Sequence, residues 1–188
     1  MALFLVLVLP LAAAKPTKEQ KRIAQRDIHI RLAQLYMEQN DIVDAYEHMT
    51  IALENDPRCA PCYAMRGEIA MEREYLPLAA GNYRQACLYA PDSATYHLEY
   101  ARALMFLDST GSAAIHLEQA LRLNPDLLEA ERLTALNLYL QDDYRHAIDT
   151  HLAYMHHFMF AEHYAPEQEE LFLTIPDSLA NEYLLHRL

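Results

Sequence analysis

The sequence predicts an all-α solenoid, in which antiparallel helix pairs stack side by side. Three observations support this prediction: a repeat of 34 residues, apolar residues at helical spacing within each repeat, and proline at the end of three successive repeats. The repeats are 26–59, 60–93, 94–127 and 128–159. None of them shows the alternation of apolar and polar residues that is typical of strands.

Residues of the same size recur at the same places of each repeat. Small residues occupy the eighth place as Ala33, Gly67, Ala101 and Ala135, and the twentieth as Ala45, Ala79, Ala113 and Ala147. The twenty-fourth place holds larger residues, namely Met49, Tyr83, Leu117 and His151. Small residues let two helices approach closely, and a bulky neighbour fills the space beside them. Each repeat is therefore predicted to fold as two antiparallel helices.

The ends of these helices are also marked in the sequence. Polar or glycine-containing turns at 40–41 and 108–111 separate the two helices of a repeat. Pro57, Pro91 and Pro125 end the second helix, because the residue before proline is pushed out of the α region. The fourth repeat has Tyr154 and Met159 where alanine and proline are expected, so we predict a distorted terminal repeat.

Two segments flank the repeats. Residues 15–25 form a polar lead-in that contains all three lysines, and we expect it to extend the first helix. Residues 160–188 begin acidic and become apolar, and they are predicted to form C-terminal capping helices.

Residues 1–14 are predicted to be a signal peptide or an N-terminal anchor. Residues 2–14 carry no charge, form an apolar run too short to span a bilayer comfortably, and end in small residues. No lysine or arginine precedes the run, and no cysteine of a lipoprotein follows it. We expect a periplasmic or otherwise exported protein without a membrane span after cleavage. If the segment is not cleaved, the protein would be cytoplasmic or membrane-anchored.

The charge of the chain disfavours nucleic acid as a partner. Its 27 acidic and 15 basic residues give a net charge of −12, which repels phosphate backbones.

Cys59 and Cys62 have the C-x-x-C spacing of thiol oxidoreductases. The strand and the βαβ context that such enzymes need are missing, and no second pair completes a zinc site. A structural pair is the favoured interpretation, with a local disulfide as one form of it and redox catalysis as the alternative.

The repeat as a whole resembles the tetratricopeptide repeat (TPR) family. The small residues at the eighth and twentieth places and the terminal proline are the positions that carry the resemblance, from Arg26 to about Met159. The resemblance implies a right-handed superhelix whose concave groove, lined by the first helix of each repeat, binds a protein or peptide. No cofactor and no catalytic residue follow from it.

In that family, certain places of the first helix line the groove. The corresponding residues of this sequence are Ile30, Gln34, Met37, Glu68, Met71, Glu72, Leu98, Arg102, Met105, Arg132 and Tyr139. Methionine at the twelfth place of three repeats predicts a soft apolar strip that adapts to a partner. The alternative is that this strip packs against a neighbouring repeat or under residues 171–173. Glu68 and Glu99 disfavour the clamp for acidic chaperone tails, because they repel carboxylates.

The sequence contains no motif that predicts an enzyme. Five histidines lie between 146 and 163, but their spacings of five, five, one and six do not place two ligands on one helix face. No phosphate-binding, dinucleotide or nucleophile-elbow motif is present. We predict a non-enzymatic interaction scaffold of the bacterial envelope.

Residues 30–41 resemble the first repeat of the type IV pilus biogenesis family, whose members act as pilotins for the secretin. An alternative is a chaperone-like adaptor that resembles the repeat modules of cytochrome c maturation. The sequence leaves the partner's identity and the oligomeric state open.

Overall fold

Eight α-helices form residues 15–160, which is the part of the chain that the computed structural model describes. They are α1 (Lys18–Glu38), α2 (Ile42–Asn55), α3 (Ala60–Glu72), α4 (Leu76–Tyr89), α5 (Ala94–Met105), α6 (Thr110–Leu123), α7 (Leu128–Leu140) and α8 (Tyr144–Phe160). Each odd-numbered helix packs against the helix that follows it, and each such pair packs against the next pair. The all-α solenoid prediction is confirmed. We call α1, α3, α5 and α7 the first helices, and the others the second helices.

The predicted extension of the first helix is present, because α1 begins at Lys18 and includes most of the polar lead-in. Thr17 caps it: its hydroxyl accepts a hydrogen bond from the Gln20 amide, and the Gln20 side chain accepts one from the Thr17 amide. The proposed leader 1–14 and the capping segment after residue 160 lie outside the described residues.

The turn inside each repeat has the same backbone geometry. The fifteenth residue is left-handed in all four repeats, as Asn40, Glu74, Asp108 and Asp142, with φ between 55° and 62°. The amide of the next residue donates to a carbonyl five residues earlier, as from Tyr75 to Ala70. This pattern ends the first helix in a Schellman-like cap and reverses the chain. Asparagine and aspartate tolerate the left-handed region better than Glu74 does.

The core follows the small places of the repeat. Ala33, Ala45, Ala52 and their equivalents in repeats 2 and 3 are buried between the paired helices, whereas in repeat 4 Tyr154, at the place of Ala52, is half-buried. Gly67 shows why the eighth place must be small, because a Cβ there would lie 2.9 Å from the ring of Tyr83. In repeat 3, where the bulky residue is Leu117, the eighth place is Ala101. The size of one residue therefore compensates for the size of the other.

None of the helices in residues 15–160 has the length and hydropathy that a bilayer-spanning segment needs.

Candidate functional site

A cleft of about 470 Å³ lies between the first helices α3 and α5. Helix α3 contributes Met65, Glu68, Met71 and Glu72, which follow one another at helical spacing along one face. Helix α5 contributes Thr95, Tyr96, Glu99 and Arg102 from the other side. This volume is in the range of ordinary ligand pockets, but the cleft is open along its length. It can therefore hold a side chain of a bound segment.

Tyr83 lines this cleft from α4, a second helix, and lies between the two first helices. Its side chain is 3% exposed, and its ring packs beside Gly67. Within residues 15–160, its hydroxyl group has no hydrogen-bond partner. Burial raises the pKa of this hydroxyl, and the charges of Glu99 and Glu68 raise it further. Tyr83 thus presents a protonated hydroxyl to the cleft.

Three carboxylates line the cleft, of which Glu99 is half-buried, whereas Glu68 and Glu72 are exposed. Burial, and then the charge of Glu72, raise the pKa of Glu68. Burial also raises the pKa of Glu99, against the opposing charge of Arg102. Among the described residues, Glu68 and Glu72 form no ion pair. The cleft therefore has negative charge that the chain itself neutralises only in part.

A second cleft, of about 310 Å³, lies between α5 and α7. Met105, Phe106, Leu133, Leu136 and Leu140 line it, and Phe106 and Leu140 are largely exposed. Large exposed apolar side chains that share one concavity are typical of a contact surface. This cleft offers apolar contact area.

The charges beside the second cleft are already paired. Arg132 binds Glu129 through two hydrogen bonds of 2.6 and 2.8 Å, and Arg102 binds the same carboxylate at 2.9 Å. The hydrogen bond from Arg132 lowers the pKa of Glu129. Arg102 also lies 3.5 Å from Glu99. The two clefts thus adjoin at Arg102 but differ in character, the first acidic and the second apolar.

The structure brings together six of the residues predicted for the groove. Glu68, Met71, Glu72 and Arg102 line the first cleft, and Arg102, Met105 and Arg132 line the second. Met71 is half-buried, and Met105 is 8% exposed and also belongs to the core. The methionine strip therefore serves packing and the cleft walls together, rather than only one of the two.

Leu98, which the sequence predicts in the groove, lines neither cleft. It is 4% exposed and packs in the core of repeats 3 and 4 beside Ala101 and Leu133. Its neighbour Glu99 faces the first cleft instead. Burial of the leucine side chain against the next helix pair stabilises the fold more than exposure to solvent would. This explains why Leu98 packs in the core and not in the groove.

Four other predicted residues lie outside both clefts. Ile30 and Met37 of α1 are half-buried against the core of repeats 1 and 2, whereas Gln34 is exposed. Tyr139 packs edge-on against Tyr144, at the turn of the last repeat. Their role in partner binding stays a prediction.

Cys59 and Cys62 form a disulfide at the start of α3. Both residues are buried, and the Cys59 sulfur also accepts a hydrogen bond from the Cys62 amide as the helix cap. Thiol–disulfide exchange requires access to a sulfur. The geometry therefore favours the structural interpretation of the pair over redox catalysis.

Histidines pair across the helices of repeats 1 and 3. The Nδ1 atoms of His29 and His48 lie 2.9 Å apart, and so do those of His97 and His116. In each pair one nitrogen donates its proton to the other, and His97 Nε2 donates to the Pro91 carbonyl. Burial, and then the charge of His97, lower the pKa of His116. No group of three or more metal-binding side chains occurs in the described part of the chain.

Sequence reasoning missed the role of Tyr83 in the site, because its place in the repeat predicts packing alone. Glu99 is expected in the groove, where its charge disfavours a clamp for carboxylates, and Phe106 stands at the thirteenth place, which lines the groove in the family pattern. One signal was present in the sequence: Gly67 pairs with the only tyrosine at the twenty-fourth place. Glu99, at the sixth place, lines the first cleft, whereas Leu98 at the fifth place packs in the core.

No protein-family model and no curated protein matches the chain. Solved structures do. MamA has a TM-score of 0.70 and 14% identity over 74% of this chain and 81% of that chain. YrrB, described as a TPR protein with an unusual peptide-binding site, has a TM-score of 0.64 and 20% identity, with 75% of each chain covered.

The first TPR of Spaghetti (RPAP3), bound to the HSP90 peptide SRMEEVD, has a TM-score of 0.62 and 15% identity over 64% of this chain and 95% of that chain. At these identities the likeness concerns the fold. The resemblance of residues 30–41 to the pilus biogenesis family stays a prediction. The 34-residue period, the paired helices and these neighbours together show that the chain has the tetratricopeptide-repeat fold.

Proposed function

We propose that the protein is a non-enzymatic scaffold that binds a segment of a partner protein along its first helices. The observation that carries this proposal is the pair of adjoining clefts between α3, α5 and α7, the second of which exposes Phe106 and Leu140. Side chains at neighbouring positions of a bound segment can enter the two clefts. A contact of ordinary size would bury roughly 800 Å² on each partner.

Site-specific photocrosslinking tests this proposal. A photoreactive phenylalanine derivative replaces Phe106, which is 60% exposed in the second cleft. The matched control replaces Ile115, which is 67% exposed on the second helix α6. In cells that express the chain, we expect one dominant adduct from position 106, identified by mass spectrometry, and none from position 115. Equal adducts from both positions, or none from position 106, would contradict the proposal.

We also propose that the protein works outside the cytoplasm. The apolar run 2–14 supports export, and the Cys59–Cys62 disulfide supports an oxidising compartment. Cell fractionation followed by N-terminal sequencing is the test. We expect protein in the periplasmic fraction with its first residue close to position 15. Full-length protein in the cytoplasm with alkylatable Cys59 and Cys62 would contradict export.

The setting that we propose within the envelope is type IV pilus or secretin assembly. The resemblance of residues 30–41 supports it. Deletion of the gene should then reduce the amount of assembled secretin multimer on an immunoblot, and the wild-type gene should restore it. The substitution Phe106→Glu should fail to restore it if the second cleft is needed. An unchanged multimer in the deletion strain would exclude this setting and leave the scaffold proposal standing.

A further inference from the structure

The cleft between α3 and α5 has a chemistry that selects one kind of side chain. Three carboxylates, those of Glu68, Glu72 and Glu99, face a space that also contains the hydroxyl of Tyr83. Arg102 is the cation on its edge, and Glu129 shares it at 2.9 Å. An anionic group in this cleft would be repelled, and a purely apolar group would leave the carboxylates and the hydroxyl without partners.

Tyr83 supplies an observation that is independent of the acidic residues. Its side chain is 97% buried, yet its hydroxyl lies at the cleft and lacks a partner within residues 15–160. Its oxygen is not fully buried, so it keeps access to the cleft, where a ligand can reach it. Its pKa is raised by burial, so the group remains protonated and its oxygen accepts hydrogen bonds. A donor from a bound segment would satisfy it.

We infer that this cleft is a receptor for a lysine or arginine side chain of the partner segment. This inference rests on the proposed scaffold function. The aliphatic stem of the side chain would pack against Met65 and Met71, and its charged group would meet Glu68, Glu72 and the Tyr83 hydroxyl. The apolar cleft beside it would take a hydrophobic residue of the same segment.

Charge also distinguishes a partner from the chain's own C-terminal residues. Residues 161–188 contain one basic residue, Arg187, and six acidic residues, so their formal charge is 1 − 6 = −5. Such a segment is repelled by the carboxylates of the cleft, whereas a basic segment of another protein is attracted. We therefore assign the cleft to a partner.

Nuclear magnetic resonance titrations of the full chain with defined probes test the inference. The probes are the capped tripeptide amides Leu-Lys-Leu, Leu-Arg-Leu, Leu-norleucine-Leu and Leu-Glu-Leu. We expect the two basic probes to shift the amide signals of residues 61–72 and 95–102 in a saturable manner. At 0.5 M salt the affinity should fall several-fold, because the Debye length shortens. The norleucine and glutamate probes should bind at least tenfold more weakly.

Matched variants connect this binding to the cleft. Glu68→Gln combined with Glu72→Gln should abolish saturation by the lysine probe, whereas Glu118→Gln, which removes an exposed charge of α6, should leave it unchanged. Tyr83→Phe keeps the ring beside Gly67 and should weaken lysine binding by roughly 2- to 12-fold, as the loss of one hydrogen bond does. The helical circular dichroism spectrum of each variant should match that of the wild type.

Several results would overturn the inference. They are equal binding of the glutamate and lysine probes, lysine binding that survives the double glutamine variant, and saturable shifts of the same amides by Mg²⁺ or Ca²⁺. Shifts of these amides on Arg187→Gln without any probe would assign the cleft to the chain itself, and would also overturn it. If the basic probes fail but the crosslink from position 106 persists, the cation receptor is refuted while the scaffold function stands.

Discussion

Gly67 lies against the ring of Tyr83. The substitution Gly67→Ala therefore tests how tightly the two helices of repeat 2 pack. The added methyl carbon would lie 2.9 Å from two ring atoms and 3.0 Å from a third. Overpacking of this kind destabilises a core by about 1–3 kcal/mol. In a helix interior, however, alanine is more stabilising than glycine by about 1 kcal/mol. The two effects oppose each other within this single substitution.

Gly81→Ala separates the two effects. Gly81 lies inside α4, and a Cβ there would meet no atom within 4 Å. The substitution Gly81→Ala therefore measures only the greater stability of alanine over glycine in a helix. We expect Gly67→Ala to be less stable than Gly81→Ala by about 1–3 kcal/mol, which corresponds to a difference of roughly 2–12 °C in the melting temperature. Urea unfolding followed by circular dichroism measures it, with an unchanged denaturant slope as the check that both variants share one native state.

A double variant makes the argument specific to the ring. Gly67→Ala together with Tyr83→Leu reproduces the combination of Ala101 and Leu117 that repeat 3 uses. Gly67→Ala should then destabilise the protein less beside the introduced leucine than beside Tyr83. The coupling energy between the two substitutions should be about 1 kcal/mol or more. The reasoning is refuted if Gly67→Ala stabilises the protein as much as Gly81→Ala, or if the two substitutions are additive.

Three further predictions follow from the backbone, the disulfide and the histidines. Glu74→Gly should raise the free energy of unfolding by about 1 kcal/mol in urea titrations, because Glu74 is left-handed at φ 58°, and Asp108→Gly should raise it less. Reduction of the Cys59–Cys62 disulfide, which joins residues three apart, should lower that free energy by about 2 kcal/mol, and an unchanged urea midpoint would contradict this. The lowered pKa of His116 means that the unfolded chain binds the proton more readily, so stability should fall as the pH drops below about 6.5. Stability measured at pH 7.0 and 5.5 should fall less in His116→Gln, and an equal fall would show that other groups are responsible.

The parts of the fold that recur in every repeat could be predicted from the sequence. Small residues at two places and proline at the end act through short-range packing and backbone geometry, and the repetition multiplies a weak local signal. The sequence predicts turns at 40–41 and 108–111, and there Asn40 and Asp108 adopt the left-handed conformation that both residue types tolerate. The extension of α1 back to Lys18 followed from polar residues continuous with the first repeat.

The groove was harder to predict, because it depends on how successive helix pairs are rotated. Leu98 and Glu99 are neighbours, and a small rotation of α5 decides which of them faces the cleft. The family pattern assigned the position to Leu98, but the adjacent core offered an apolar side chain a better environment. Ion pairing between different repeats, as between Arg102 and Glu129, depends on the same rotation.

The residue that fixes the packing of repeat 2 also gives its cleft a polar atom. Repeats 1 and 3 have Met49 and Leu117 at the twenty-fourth place, and both side chains end in apolar atoms inside the core. Tyr83 is longer and reaches the space between α3 and α5, where its hydroxyl meets the cleft. Only a glycine at position 67 leaves room for that ring. Removal of the hydroxyl alone, in Tyr83→Phe, should therefore weaken binding of a basic probe with little change in stability, whereas Tyr83→Leu should affect both.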